Sequence, residues 1–300
     1  MTGWWLALAI VGCAAEPQRG AIDQAIFGGE TVAAGGPIAR STVMFVVQGG
    51  DGQHGCSASL IDAAHALTAA HCLIGLQPGD QPELVLAVKV TAGAGPRRTV
   101  TSFVAFDSGF DEDIAVLRFA GGLPAGYEPV ALAAPSLSLA PGAPLVLAGY
   151  GQTTAAVNDR GTLRAAASQF AGGHGHRYEA TAPGAGLCSG DSGGPDYVAN
   201  GATLVQLGVH VSGDCATSAT SSDVRAYQQF IDSTGASPIY VDALDPPAAG
   251  DAGAGSAGDA GSANDPLLAD GGGCGAVGLR ANGLVFVAFA LGLVLKGRRR

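Results

Sequence analysis

Cys188-Ser189-Gly190-Asp191-Ser192-Gly193-Gly194-Pro195 sets a serine among glycines, in a run whose backbone can turn sharply and lie open to an approaching molecule. A serine hydroxyl is a poor nucleophile near neutrality, so it needs an imidazole close by to take its proton. Working outward from Ser192, two earlier segments offer the missing groups. Thr68-Ala69-Ala70-His71-Cys72 supplies a histidine, and Asp113-Ile114-Ala115-Val116-Leu117 supplies a carboxylate that opens an apolar run. Asp111 and Glu112 compete with Asp113 in sequence. Only Asp113 directly precedes the apolar run that would carry it to a strand edge, so the other two are read as a solvated loop.

Between Ile26 and about Ala243 short aliphatic or β-branched runs alternate with Gly, Pro, Asp and Asn. Thr42 to Gln48, Leu84 to Val90, Thr99 to Phe106, Ile114 to Phe119, Leu145 to Gly149 and Leu204 to Val211 read as strands. Regular turn signals without helical periodicity predict an all-β barrel or sandwich architecture rather than a βαβ sheet. One helix is expected near Asp223 to Ser233, where Val224, Tyr227, Phe230 and Ile231 share a face. Three hundred residues, 47% of them apolar, suit one large domain or two small cores plus appendages. The 48 glycines and few aromatics fit short strands with tight turns. A net charge of −10 argues against binding a phosphate backbone, and no nucleic-acid partner is expected.

Gly190 to Gly194 also satisfies the GxSxG elbow of α/β-hydrolases. Chain order decides against that fold, because there the acid and the histidine follow the serine. Here the only later histidine is His210. The TAAHC, DIAV and GDSGGP segments, in the order His, Asp, Ser, instead resemble the TAAHC, DIAL and GDSGGP signatures of the chymotrypsin-like (trypsin-like) serine peptidase family. Ile26-Phe27-Gly28-Gly29 ahead of them and Gly149-Tyr150-Gly151 between them add to the resemblance. It covers nearly everything from Ile26 to Phe230. It implies two six-stranded antiparallel β-barrels with the site in the cleft between them, a C-terminal helix, and a monomeric catalytic domain that acts on protein or peptide substrates and needs no cofactor and no metal.

The resemblance also implies roles. His71 would act as general base, Asp113 would fix its tautomer and stabilise the imidazolium, and Ser192 would attack. The N–H groups of Gly190 and Ser192 would form the oxyanion hole. Asp191 would pair with the new ammonium of Ile26 once an activating protease cuts Ala25–Ile26; alanine at the cut disfavours a trypsin-like activator. Gly186 would lie at the base of the primary pocket, where enzymes cleaving after Arg or Lys carry aspartate. Asp223 would take the second floor position, and Ser212 would bind substrate backbone, although the tryptophan usually following it is absent. Small or medium apolar P1 residues are therefore expected. The alternative reading is a non-catalytic homologue serving as a surface binding or adhesion protein, since fold alone does not fix function.

Six cysteines occur, four of them in the globular part: Cys56, Cys72, Cys188 and Cys215. In an exported chain an even number favours disulfides, and sequence alone permits three connectivities. The resemblance pairs Cys56 with Cys72 and Cys188 with Cys215. Isolated buried thiols are the alternative. No two of the four stand at zinc-ligand spacing. His174 and His176, like His54, His65 and His210, are read as polar loop or ordinary structural histidines.

Both ends look like processing signals. Residues 1–15 read as a secretory signal, either cleaved after Ala15 or, since Ile10-Val11-Gly12-Cys13 resembles a lipobox, lipidated at Cys13. Residues 16–25 then form a propeptide and 26–243 the peptidase domain. A Gly/Ala/Asp linker follows over 244–273, its composition unable to bury a core. Residues 274–300, with Cys274, an apolar stretch and terminal arginines, resemble the C-terminal sorting tags of myxobacterial surface proteins; a plain anchor helix is the alternative. A secreted or cell-surface location is the expectation; the tag resemblance implies sorting machinery acting at Cys274, with attachment to the outer membrane or release.

Overall fold

The computed structural model describes residues 26–49, 52–77, 79–91, 93, 95–106 and 112–245. The signal, lipobox, propeptide and sorting-tag readings, and nearly all of the linker, lie outside the described residues.

Six strands close the first barrel: β1 Thr42–Gly49, β2 Gly52–Leu60, β3 His65–Thr68, β4 Gln81–Val85, β5 Arg97–Ala105 and β6 Ala115–Phe119. They run β1-β2-β3-β6-β5-β4 and back to β1, every pairing antiparallel. Strand β1 shows why its sequence is apolar at nearly every position. Val43, Phe45 and Val47 point into the barrel with Leu60, Leu84 and Leu117, whereas the alternate residues Met44 and Val46 pack against Val146, Tyr150 and Tyr197 of the second barrel. Burial on both faces removes the polar half of the alternation.

The second barrel comprises β7 Pro144–Gly149, β8 Arg164–His174, β9 Arg177–Thr181, β10 Pro195–Asn200, β11 Thr203–Gly213 and β12 Ser218–Asp223. Its antiparallel ring runs β7-β8-β9-β12-β11-β10 and closes between β10 and β7. Leu145, Leu147, Phe170, Tyr178, Val198, Val205 and Leu207 fill it. The short strands Ala131–Ala133 and Tyr240–Val241 add to it in parallel beside β11.

The expected helix is present. Asp223 caps a 3-10 turn, Val224–Tyr227, which runs into the α-helix Gln228–Ser233. Val224, Tyr227 and Ile231 pack on Leu67, Ile114 and Val116 at the outer face of the first barrel. The expected strand to Val90 ends instead at Val85. Beyond it the backbone turns to the other barrel, Lys89 bridging Thr162 and the Val90 N–H donating to Gly161. Both disulfides have the pairing the resemblance implies, Cys56–Cys72 and Cys188–Cys215.

Candidate active site

Strand β3 runs into a 3-10 turn, Ala70–Leu73, that carries His71. The Cys56–Cys72 bridge ties this turn to β2. Asp113 lies two residues before β6, the strand paired with β3, so antiparallel pairing brings the two residues to the same barrel end. The fully buried Asp113 carboxylate spends both oxygens on His71. Oδ1 accepts the backbone N–H at 2.8 Å and Oδ2 lies 2.5 Å from ring Nδ1. The Ser222 hydroxyl donates to the Asp113 carbonyl at 2.9 Å, fixing this turn to β12. A carboxylate on Nδ1 selects the tautomer that carries its hydrogen there and makes Nε2 the proton-accepting nitrogen.

Ser192 sits in the loop between Cys188 and β10. This loop is held at every peptide by short-range and cross-barrel bonds. The Asp191 N–H donates to Cys188 and the Gly194 N–H to Asp191, at 3.0 and 2.9 Å. From the first barrel, the Ser57 hydroxyl donates to the Gly190 carbonyl at 2.9 Å, and the Ser57 N–H donates to Ser192 at 2.8 Å. Glycine is required on both sides of the serine. Gly190 has φ 101°, and a Cβ there would fall 3.0 Å from Gly151 Cα. Gly193 has φ 79°, and a Cβ would fall 2.4 Å from the Ser57 carbonyl. Among the described residues neither the Gly190 nor the Ser192 N–H has a backbone acceptor.

His71 and Ser192 line one cleft, together with Gly190, Ser189, His54 and Arg160. The Ser192 hydroxyl has no hydrogen-bond partner among the described residues. Cys56, His71 and Cys72 offer three atoms close enough for a metal. Both sulfurs are committed to the disulfide and so provide no thiolate ligand.

A second pocket opens beside Ser192, lined by Leu187, Ser189, Val211, Ser212, Gly213 and the Cys188–Cys215 bridge. Ser212 lies on its wall. Gly186 is enclosed, its backbone paired with Phe27 and its Cβ position 2.8 Å from the Ala216 nitrogen. Leu187 is buried beneath the pocket, 2.7 Å from where a Gly213 Cβ would stand. The Asp214 carboxylate organises the adjoining turn by accepting the N–H groups of Thr217, Ser218 and Ala216, which hold it well below the usual carboxylate range. Asp223 is not part of this pocket. It forms a bidentate ion pair with Arg225 at 2.8 and 2.6 Å, turned toward the helix.

Ile26 is fully buried in the second barrel's core beside Leu187, with Phe27 paired to Gly186. The Asp191 carboxylate accepts the Gly151 and Cys188 N–H groups at 2.8 and 2.9 Å, while burial pushes its pKa up to about 6. Glu112 pairs with His176 at 2.5 Å and His65 with Asp62 at 2.8 Å, both away from the cleft residues. Asp111 lies outside the described residues. The sequence gives no warning of Ser57 and little of His210. The latter is buried directly behind the Ser192 loop, and a polar residue flanked by valines in a strand was the only cue.

This two-barrel arrangement, with the cleft residues drawn from both halves, is the chymotrypsin-like serine peptidase architecture. Comparison of sequences narrows it further: residues 26–232 match the trypsin family, and the chain belongs to that family. No curated protein is similar enough to the chain to count as a match.

Proposed function

We propose that the protein is a secreted or surface-attached serine endopeptidase that cleaves peptide bonds through an acyl-enzyme, with His71, Asp113 and Ser192 as its triad. The observation that carries this reading is the His71–Asp113 pair facing, across one cleft, the glycine-bracketed Ser192 of a trypsin-family chain. In the forward step Ser192 Oγ bonds to the scissile carbonyl carbon as its proton passes to His71 Nε2. Asp113 stabilises the resulting imidazolium, which then returns the proton to the leaving amine. The Gly190 and Ser192 N–H groups receive the developing oxyanion. Water attacks the acyl-enzyme by the same route. Cleavage at Ala25–Ile26 creates an ammonium for Asp191 and would part the enzyme from any lipid anchor at the cysteine at 13, leaving processing at the cysteine at 274 to set surface attachment or release.

Buried Leu187 and the close approach of Gly213 support a shallow primary pocket, and Gly186 provides no anion for a basic side chain. Profiling on a peptide library therefore gives the highest kcat/KM for alanine or similarly small residues at P1. Preferred cleavage after Arg, Lys or Phe contradicts the pocket assignment.

A further inference from the structure

Strand β11 passes behind the Ser192 loop and places His210 against it, fully buried. The His210 backbone holds the loop directly: its N–H donates to Gly194 and its carbonyl accepts the Gly193 N–H, both at 2.8 Å. Its ring does more. Nδ1 lies 3.1 Å from the Asp191 carbonyl oxygen and Nε2 lies 2.8 Å from Asp196 Oδ1. Asp196, equally buried, accepts the Tyr178 hydroxyl on its other oxygen. Glycines keep space for this array. A Cβ at Gly194 would stand 2.8 Å from His210 Nδ1, and one at Gly208 would stand 2.9 Å from Asp196 Oδ2.

The bonding pattern dictates the ring's protons. A carbonyl only accepts, so Nδ1 carries hydrogen. With Asp196 as carboxylate, Nε2 must carry one too, making the ring an imidazolium. Burial opposes charge on both partners, but their mutual attraction and hydrogen bond outweigh it. The net effect raises His210 and lowers Asp196. The other groups facing this pair are the Asp191 carboxyl, Arg164 beside it, Tyr178, Ser221 opposite His210 on β12, and Asp223 near Tyr178.

The carbonyl that His210 grips belongs to the peptide whose N–H is that of Ser192. In a planar trans peptide the carbonyl and the N–H point in opposite directions. Anchoring the carbonyl inward therefore aims the Ser192 N–H outward, toward the cleft, and a cationic donor on the carbonyl polarises that N–H. We propose that His210 is a positioning residue, a buried imidazolium that acts through the Asp191–Ser192 peptide to orient and strengthen one donor of the oxyanion hole. This inference rests on the peptidase reading above.

The test uses the full chain after activation, labelled with 15N-histidine. His210→Asn assigns the His210 signals, and the kcat is measured per site titrated by a fluorophosphonate. In wild type at neutral pH both His210 ring nitrogens are protonated. Asp196→Asn keeps the shape, removes the anion and returns the ring to its neutral form. The kcat per titrated site then falls about tenfold or more, less than the ~10²–10³ of losing the donor outright, with KM nearly unchanged. Binding of a peptide boronate weakens in step with kcat/KM. A purely structural role would lower the titrated fraction and leave kcat per site alone. Should Asp196→Asn fail to fold, the wild-type ring state and the kcat of His210→Asn carry the decision. A singly protonated ring in active wild type, or an unchanged kcat per site in the variant, overturns the proposal. Protein that shows the doubly protonated ring but neither labels nor hydrolyses overturns the peptidase reading, and the positioning role with it.

Discussion

Gly190 concentrates the demands made on a single residue in this cleft. Its N–H is the one proposed to receive the oxyanion, its carbonyl is held by Ser57, and its positive φ leaves no place for a side chain. Gly190→Ala therefore lowers kcat by roughly a hundredfold or more, the usual consequence of losing an oxyanion donor, while KM changes little. Steady-state kinetics on a small-P1 peptide check this, and an unchanged kcat contradicts the role. His71, Asp113 and Ser192 could be singled out in the sequence as candidates because nucleophilic catalysis admits few side-chain types and their order excluded the rival fold; the structure sets His71 against Asp113 and on one cleft with Ser192. Ser57 and His210 could not be singled out. Ser57 meets the Gly190 carbonyl across 133 residues of chain, and a side-chain bond of that separation leaves no local pattern. A lone serine beside a cysteine, or a lone histidine between valines, reads equally well as filler. Gly186 was read as the pocket base from its spacing to Cys188; in the structure it is enclosed, paired with Phe27 and close against Ala216. Asp223 was misplaced at the pocket floor because the turn after Cys215, ordered by Asp214, offsets the count along β12.

Among elements, the strands were readable wherever one run met one face of a core. Strand β1, buried on both faces between two barrels, still gave an apolar run, so its existence was plain and its double role was not. The end of β4 could not be read, because Lys89 and Val90 keep a strand-like sequence while bonding to the other barrel. The turn bearing His71 depends on the Cys56–Cys72 bridge, a 16-residue separation. Closing a loop of that size stabilises the folded state by about 3 kcal/mol. Replacing both cysteines by alanine thus lowers Tm by roughly 6–12 °C at this domain size. Calorimetry on the double variant checks the figure, and an unchanged Tm would show that β2 and β3 hold the turn without it.

For the molecule as a whole, the two barrels supply different residues of the cleft, and on the proposed activation Asp191 would couple the cut at Ile26 to the Ser192 loop. Burial raises the Asp191 carboxyl from 3.8 to about 6, so its folded form favours the proton. The linkage runs opposite to that of a salt-bridged carboxylate. Below about pH 4 the group is protonated folded or unfolded and has no effect. As pH rises through 6, stability is lost, by at most about 3 kcal/mol. An Ile26 ammonium beside Asp191 would lower that pKa and recover the loss. Cleavage at Ala25–Ile26 therefore raises Tm more at pH 8 than at pH 4.5; an equal gain at both contradicts the pairing.

The central claim is that Ser192 is a nucleophile activated by His71, and covalent labelling tests it most directly. Chain cut at Ile26 is treated with a fluorophosphonate and the modified residue is located by mass spectrometry. The account predicts one adduct, on Ser192, formed rapidly in wild type, absent from Ser192→Ala and at least a thousandfold slower in His71→Ala. Equal labelling of wild type and Ser192→Ala, or an adduct on another residue, would contradict it.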